Sequence, residues 1–551
     1  MSKVDAERTK AESRGLRGSI ASELREPTAR FSDEAAQLLK FHGTYQQEDR
    51  DARKAARELA GEKSYGFMIR IRATAGRIPA ILWRAVDDLA DRHGNGTIRV
   101  TTRQALQLHG VRKADLRRTI ADIVDHLGST QGACGDVVRN VVAPAWPLAE
   151  PAYEATRRLA RELAAAFTWQ SGGYLEIWQD GETVHTENAE EPVYGATYLP
   201  RKFKIAVTVA GDNSVDVYTN DVGLIAVLDE AGNVAGYDVV AGGGLGRTHG
   251  KTTTYPRLAS ALGFVAVERV VDVVRAIVLV QRDFGDRTDR RHARLKYLID
   301  DRGFDWFRAE VERVAGFALQ PWRELPDWDD VPRFGWHAQG DGRWFYGLHV
   351  ANGRVRDGDE VQLKSALRAL AERGFDFNAT LAQQLLIVDV GPDDRSLIDT
   401  VLHEHGVVPA EALAPFRRTA LACPALPTCG QSLAEAERVI ADLLDDIELE
   451  LERVGLEDEP IAVRMTGCPN GCARPYMAEI GIVGQSADRY QVYLGGHRAG
   501  VRLAEPWREK LHLAEIAGEL RPLFAAFAAE RRESESFGDW CARNVREAVP
   551  A

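Results

Sequence analysis

The chain has 551 residues, an apolar fraction of 45% and a formal net charge of -12. That length allows about three to four domains, and the acidic balance argues against a general nucleic-acid surface. Its six cysteines are too few for a disulfide scaffold, so any that cluster point to metal or catalytic chemistry.

The amino-terminal "MSKVDAERTKAESRG" has no apolar segment and carries acidic residues, unlike a secretory signal or a transit peptide. The most apolar run, "VERVVDVVRAIVLV", is broken by Asp272 and Arg275, short of the roughly 18 residues that a spanning helix requires. A cytoplasmic protein with no membrane segment is expected. The first fifty or so residues read as an extension that wraps a larger body.

From residue 67, "FMIRIRATAGRI" leads through a helical "ILWRAVDDLADRHG" to "IRVTTRQALQLHGV". Far downstream, "WFYGLHVANGRV" leads through "LKSALRALAERG" to "FNATLAQQLLIVDV". Both read strand, Gly-Arg turn, helix, strand. A second pair, "VGLIAVLDEAGNVAGYDVVAGGGLG" and "AEIGIVGQSADRYQVYLGGHRAG", reads as two strands meeting a glycine-rich turn. The spacing predicts an internally duplicated, pseudo-twofold α+β body built from interleaved halves.

Within the first repeat, "IRVTTRQALQLHG" alternates. As a single strand it sends Arg99, Thr101, Arg103, Gln107 and His109 to one face, either a solvated face or a fork for carboxylates of a polyanionic ligand. Arg72 in "IRIRA", Cys134 and Arg139 in "GACGDVVRN", and Arg201, Lys202 and Lys204 in "YLPRKFKIAVTV" follow. Lys202 and Lys204 share a face, and packed like charges call for an anion among them. Taken singly, each of these cations reads as a surface residue. "VAGGGLGRTHG" lacks the spacing of a dinucleotide loop.

The last third holds "ACPALPTCGQSLAEAERVIADLLDDIELELERVG" and "RMTGCPNGCARPYMAEIG". Ser432 and Glu435 match an S-x-x-E capping box ahead of an apolar stripe at Val439, Ile440, Leu443, Leu444, Ile447 and Leu451, with Gly455 as the stop. Cys423 and Cys429, then Cys468 and Cys472, give C-x5-C and C-x3-C. The first step is long for structural zinc, so the spacing leaves open an iron–sulfur cluster, a zinc site or four unrelated buried thiols. Cys541 in "DWCARN" reads as a small buried apolar residue.

Together, "RVTTRQALQLHG", "LPRKFK", "ACPALPTC" and "MTGCPNGCARPYMAEIG" make the chain resemble the assimilatory sulfite reductase hemoproteins of the sulfite/nitrite reductase family, over nearly its whole length and with the motifs in order. The resemblance implies a three-domain fold with pseudo-twofold ferredoxin-like halves: an extension over 1–69, a duplicated unit from 70–131 and 333–409, a siroheme and substrate domain over 132–332, and a [4Fe-4S] and siroheme domain over 410–551. It implies that Cys423, Cys429, Cys468 and Cys472 bind the cluster and that Cys472 is also the axial ligand of siroheme. Arg72, Arg139, Lys202 and Lys204 match its substrate pocket, while Arg99, Arg103, Gln107, Arg201 and Asn470 match siroheme contacts. Lys204 stands where relatives that prefer nitrite tend to carry asparagine, which favours sulfite, with nitrite reduction as the rival. No flavin or NADPH module is recognisable, and "GSTQGACGDVVRNVVAP" and "RELPDWDDVPRFGWHAQGDGRWFYGLHVANGRV" resemble the ferredoxin-dependent type more than the subunit that docks on an NADPH flavoprotein. A monomer is expected. In some relatives a cysteine matching Cys134 is linked to a tyrosine; the matching position here is read as Gly66, one step from Tyr65, so no link is expected.

Overall fold

A computed structural model describes residues 5–52, 63–169, 176–179, 182–186, 191–329 and 332–545, the two short spans 176–179 and 182–186 as backbone only. Asp330 and Val331, within the stretch quoted for the donor type, lie outside the described residues. The duplication is explicit in the order of elements. The first unit runs β1 (Thr44–Glu48), β2 (Tyr65–Arg72), β3 (Arg77–Ile78), helix Ala80–Arg92, β4 (Ile98–Val100), β5 (Ala105–Val111) and helix Leu116–Asp125. After it come the hairpin β6 (Glu176–Gln179) and β7 (Glu182–Thr186), and then β8 (Ile205–Val209), β9 (Val222–Leu228), β10 (Val234–Ala241) and β11 (Ser260–Ala266).

The second unit repeats the first: β12 (Gly335–Ala338), β13 (Trp344–Leu348), β14 (Arg354–Val355), helix Leu363–Glu372, β15 (Asp376–Ala379), β16 (Leu385–Val390) and helix Arg395–Glu404. The last sheet contains β17 (Leu421–Ala422), β18 (Val463–Thr466), β19 (Ile480–Ser486), β20 (Arg489–Leu494) and β21 (Glu505–Leu511). The two units exchange their shortest strands. β14 completes the order β1-β2-β5-β4-β14, and β3 completes β12-β13-β16-β15-β3. A shared apolar core, including Ile69, Trp83, Leu106, Leu348, Leu367 and Ile387, fixes the two units against each other, and burial of that kind stabilises by roughly 25 cal/mol per Å² of apolar surface.

The structure corrects three expectations. Thr44–Glu48 lies in the stretch read as an extension, yet it is an edge strand of the first sheet, with Tyr45 opposite Met68. "IRVTTRQALQLHG" is two strands: Gln104 adopts φ 48° and Thr101 Oγ1 accepts from Ala105 N at 3.2 Å, closing a hairpin between β4 and β5. The helix expected from Ser432 begins at Ile440. Ser432 Oγ donates instead to Ala434 O at 2.7 Å, because residues 432–434 fold over the cysteine turn, with Leu433 N and Ala434 N both donating to Gly467 O. The apolar stripe at Ile440, Leu443, Leu444, Ile447 and Leu451 is buried as its period requires. Among the described residues, no helix is long and apolar enough to cross a membrane.

Candidate active site

Four thiols meet at the end of two parallel strands. β17 pairs with β18, Leu421 opposite Arg464 and Ala422 opposite Met465, so Cys423 and Gly467-Cys468 leave the sheet side by side. Gly467 N donates to Cys423 Sγ at 3.4 Å, and Asn470 Nδ2 lies 3.6 Å from Cys468 Sγ. Gly471 takes φ 64°, and a Cβ there would come within 2.7 Å of the Tyr476 ring, so the turn that returns Cys472 needs glycine. Cys429 arrives on the preceding loop, with its N–H on Ala425 O at 2.9 Å. Burial pushes the Cys423, Cys429 and Cys468 thiols up, Cys468 to about 12, and the charge of Cys472 adds to each shift.

No three His, Cys, Asp or Glu side chains among the described residues close to the spacing of a single metal ion. Cys423, Cys429 and Cys468, whose ionisation burial opposes, together with Cys472 fit a larger polynuclear centre, which would supply the missing positive charge.

Cys472 differs from the other three: it is exposed and its charge reaches a second cluster. That cluster is cationic. β8 begins at Ile205, directly after Arg201, Lys202 and Lys204; Val138 lies beside Phe203 and Val142 beside Ala206, which brings Arg139 alongside, its N–H on Phe203 O at 2.8 Å. Burial, then Arg201 and Arg294, push the Lys202 ammonium down to about 7, with Cys472 opposing. Burial, Lys202 and Arg103 push Lys204 well below its usual range. Like charges so placed are stabilised by an anion bound among them.

Backbone carbonyls and neighbouring carboxylates hold these cations in position. Arg103 donates to Asn220 Oδ1 at 2.6 Å and to Ile205 O at 2.7 Å. Arg139 donates to Gly135 O at 2.8 Å, and Arg72 to Gln131 O at 3.2 Å. Asp221 takes Arg294 at 2.8 Å and the Lys204 backbone N–H at 2.8 Å. Asp136 takes both ends of Arg290 at 2.6 and 2.8 Å, with Arg201 4.0 Å away. The amino-terminal segment joins this network: Lys10 Nζ donates to Leu199 O at 2.8 Å and lies 3.7 Å from Asp136.

Cross-strand pairing sets Arg70, Gln107, Arg99 and Arg354 in one row, on one face of the sheet. Arg99 departs from the expected contact with a cofactor carboxylate. It is 1% exposed and donates to Glu437, a carboxylate shared with Arg354, and to Ala422 O at 2.8 Å, bracing the strand that ends in Cys423. With the Gln107 amide turned so that its oxygen faces Arg70, it accepts from Arg70 Nη2 at 2.6 Å.

Sequence reasoning missed Arg70, although it is two residues from Arg72 and so on the same strand face. Arg70 donates to Cys134 Sγ at 3.0 Å; burial opposes its charge, but Cys134, Tyr45 and Cys472 outweigh that and raise its pKa. The tyrosine that feels Cys134 is therefore Tyr45 on β1, while Tyr65 lies under Arg30. Thr102, at the tip of the hairpin, was also missed; its hydroxyl donates to Cys472 O at 3.0 Å. Arg294 and Lys296 in "RHARLKYL" gave no signal. Lys296 Nζ donates to Gly244 O and Gly246 O at 2.9 and 3.1 Å, and Arg247 N donates to Pro469 O at 3.0 Å. The glycine-rich stretch "VAGGGLGRTHG" is thus a backbone platform under the cysteine turn.

Two family profiles match: "Nitrite/Sulfite reductase ferredoxin-like half domain" over residues 60–129 and "Nitrite and sulphite reductase 4Fe-4S domain" over residues 134–319. Both spans end before Cys423. A curated relative, "Sulfite reductase [ferredoxin]" of Synechococcus elongatus, is 48% identical over 98% of this chain and 89% of its own length. The chain belongs to the nitrite and sulfite reductase family. A second family member, "Sulfite reductase [NADPH] hemoprotein beta-component" of Myxococcus xanthus, is 44% identical over 99% of this chain and 97% of its own length. Among solved structures, the family fold is matched by the Mycobacterium tuberculosis NirA protein, with a TM-score of 0.80 and 24% identity over 98% of this chain and 97% of that one.

Proposed function

We propose that this family member is a sulfite reductase hemoprotein, which takes sulfite to sulfide in six one-electron steps. The observation that carries the reading is the position of Cys472. Its charge acts both on the Cys423, Cys429 and Cys468 thiols and on Lys202 and Arg70.

The four cysteines would hold a [4Fe-4S] cluster, and Cys472 would also reach the iron of siroheme. Arg103, Arg201 and Gln107 would meet the carboxylates of that macrocycle, and Asn470 would make another contact with it. When bound, the two groups supply single electrons at low potential to a sulfur atom.

The chain's own residues do the rest. Arg72, Arg139, Lys202 and Lys204 bind a small dianion and hold its oxygens through charge-assisted hydrogen bonds. Three oxygens must leave as water, so protons must arrive at them. Lys202, pushed down to about 7 in the protein alone, is suited to donate near neutral pH, and its proton is held more firmly once an anion sits beside it. Thr102 fixes the Cys472 carbonyl and the platform from Gly244 to Arg247 fixes the turn, so the thiol is held in place between its two sets of neighbours.

Ferredoxin is the proposed electron donor, on the strength of the Synechococcus elongatus relative; a flavoprotein that oxidises NADPH is the second reading, which the name of the Myxococcus xanthus relative favours. The test is sulfide formation by the siroheme-loaded chain, driven in parallel by reduced ferredoxin, by NADPH with a sulfite reductase flavoprotein, and by a reduced viologen. Saturable turnover with ferredoxin is expected. Turnover with the flavoprotein alone would reassign the donor, and no sulfide even with viologen would overturn the activity.

A further inference from the structure

The duplication that builds the cationic recess builds a second pocket at its pseudo-twofold counterpart. Counted from the left-handed residue that opens the short helix after each turn, Arg474 at φ 61° and Asp216 at φ 47°, Cys472 corresponds to Ser214. Val142 lies beside Ala206 in parallel as Leu421 lies beside Arg464, so Arg139 corresponds to Arg418. The hairpin turn Thr101–Ala105, with Gln104 at φ 48°, corresponds to Thr380–Gln384, with Gln383 at φ 63°.

Those counterparts converge. One pocket is lined by Ser214, Arg333, Thr380, Arg418, Arg464 and Arg474. Four arginines are among its lining residues, beside apolar side chains such as Trp146, Phe334 and Leu381, against a single lining carboxylate, Asp216, which is already paired with Arg474. Arg464 and Arg474 are 7% and 8% exposed. One buried donor there, Arg474 Nε, has no hydrogen-bond partner among the described residues, and the Ser214 hydroxyl lies in the lining beside it. Buried polar groups are rarely left unsatisfied, and a pocket that gathers arginines around an unsatisfied buried N–H donor is the chemistry that takes up a tetrahedral oxyanion.

We infer that this pocket is a second oxyanion site, separate from the recess beside Cys472, that binds a phosphate- or sulfate-class dianion between Arg418, Arg464 and Ser214. It stands apart from the proposed activity: Ser214 replaces the thiol, and the counterparts of Lys202 and Lys204 are Pro460 and Ala462, so it holds an anion without a metal ligand or an ammonium beside it. The oxyanion is bound there and not reduced.

The test is equilibrium dialysis of the holoenzyme against radiolabelled inorganic phosphate, alongside a phosphate titration followed in the haem absorption spectrum. The spectrum reads the recess and the dialysis counts all sites. Two phosphates per chain are expected. Arg418→Gln should weaken one of them about tenfold, as loss of a charged donor does, and Ser214→Leu, which fills the pocket, should remove it. Both variants should leave the spectral titration unchanged. Because Arg418 also donates to Leu413 O and Glu411 O at 2.9 and 3.0 Å, Ser214→Leu is the cleaner variant. A bound phosphate count that neither variant lowers would overturn the inference. Loss of the spectral response alone would count against the recess and leave the second site standing.

Discussion

The two ferredoxin-like units share a backbone almost element for element and differ in what they point at their neighbours. In the first, Arg70, Arg72, Arg99, Arg103 and Gln107 line the sheet and its hairpin; in the second, the same positions hold Gly347, His349, Asn378, Ala382 and Leu386. The turns after β8 and β18 diverge in the same way, Ala210 and Ser214 standing where Cys468 and Cys472 stand. One copy carries the charges that the proposed function assigns to an anionic cofactor and substrate, while the other places neutral side chains at the same sheet positions. A duplicated fold lets a protein specialise one site and leave stability to the other copy.

Making the copies alike should break the difference. Cys472→Ser gives the cysteine turn its counterpart's residue, and sulfide formation should fall about a thousandfold or more, the scale for removing one member of a unit that acts together; Ser214→Ala should leave turnover unchanged. Next in size, Lys204→Asn should lower kcat/KM for sulfite about a hundredfold and move preference toward nitrite, measured as the ratio of the two under one donor. Arg103→Ala, which copies Ala382, removes a charged donor, so siroheme retention after gel filtration should drop about tenfold.

The smallest effect concerns the base that carries the recess. Burial works against the Asp136 carboxylate, but Arg290, Lys10 and Arg201 outweigh it and hold its pKa below the usual value. Its contribution to stability is therefore present above the unfolded carboxylate pKa, near 3.9, and is lost as pH falls through the lower folded value. Arg290→Gln should cost about 1–3 kcal/mol near neutral pH, less than a fully buried pair because Arg290 is partly solvent-exposed. Thermal melts from pH 7 down to 3 should show the variant and the parent converging as Asp136 protonates.

Much of this was legible in the sequence because it is periodic. Alternation in "PRKFK" put Lys202 and Lys204 on one face, and four cysteines in two short motifs marked the thiols that the fold brings together. What the sequence hid is set by partners far along the chain. "IRVTTRQALQLHG" reads as one strand unless Gln104 is known to be left-handed. Ser432 matches a helix cap, yet Gly467, thirty-five residues on, competes for the segment and wins. Tyr45 could not be chosen over Tyr65 without the pairing of β1 with β2, and Thr102 gains its role only when the second half folds back onto the first.

The central claim is that Cys472 joins the sulfur cluster to the haem. Mössbauer spectroscopy of the 57Fe-enriched oxidised holoenzyme tests it most directly. A shared thiolate predicts that the cluster irons show magnetic splitting transferred from the haem iron, and that Cys472→Ser abolishes it. A cluster with the unsplit spectrum of an isolated diamagnetic centre, in a protein with both groups fully loaded, would contradict the account.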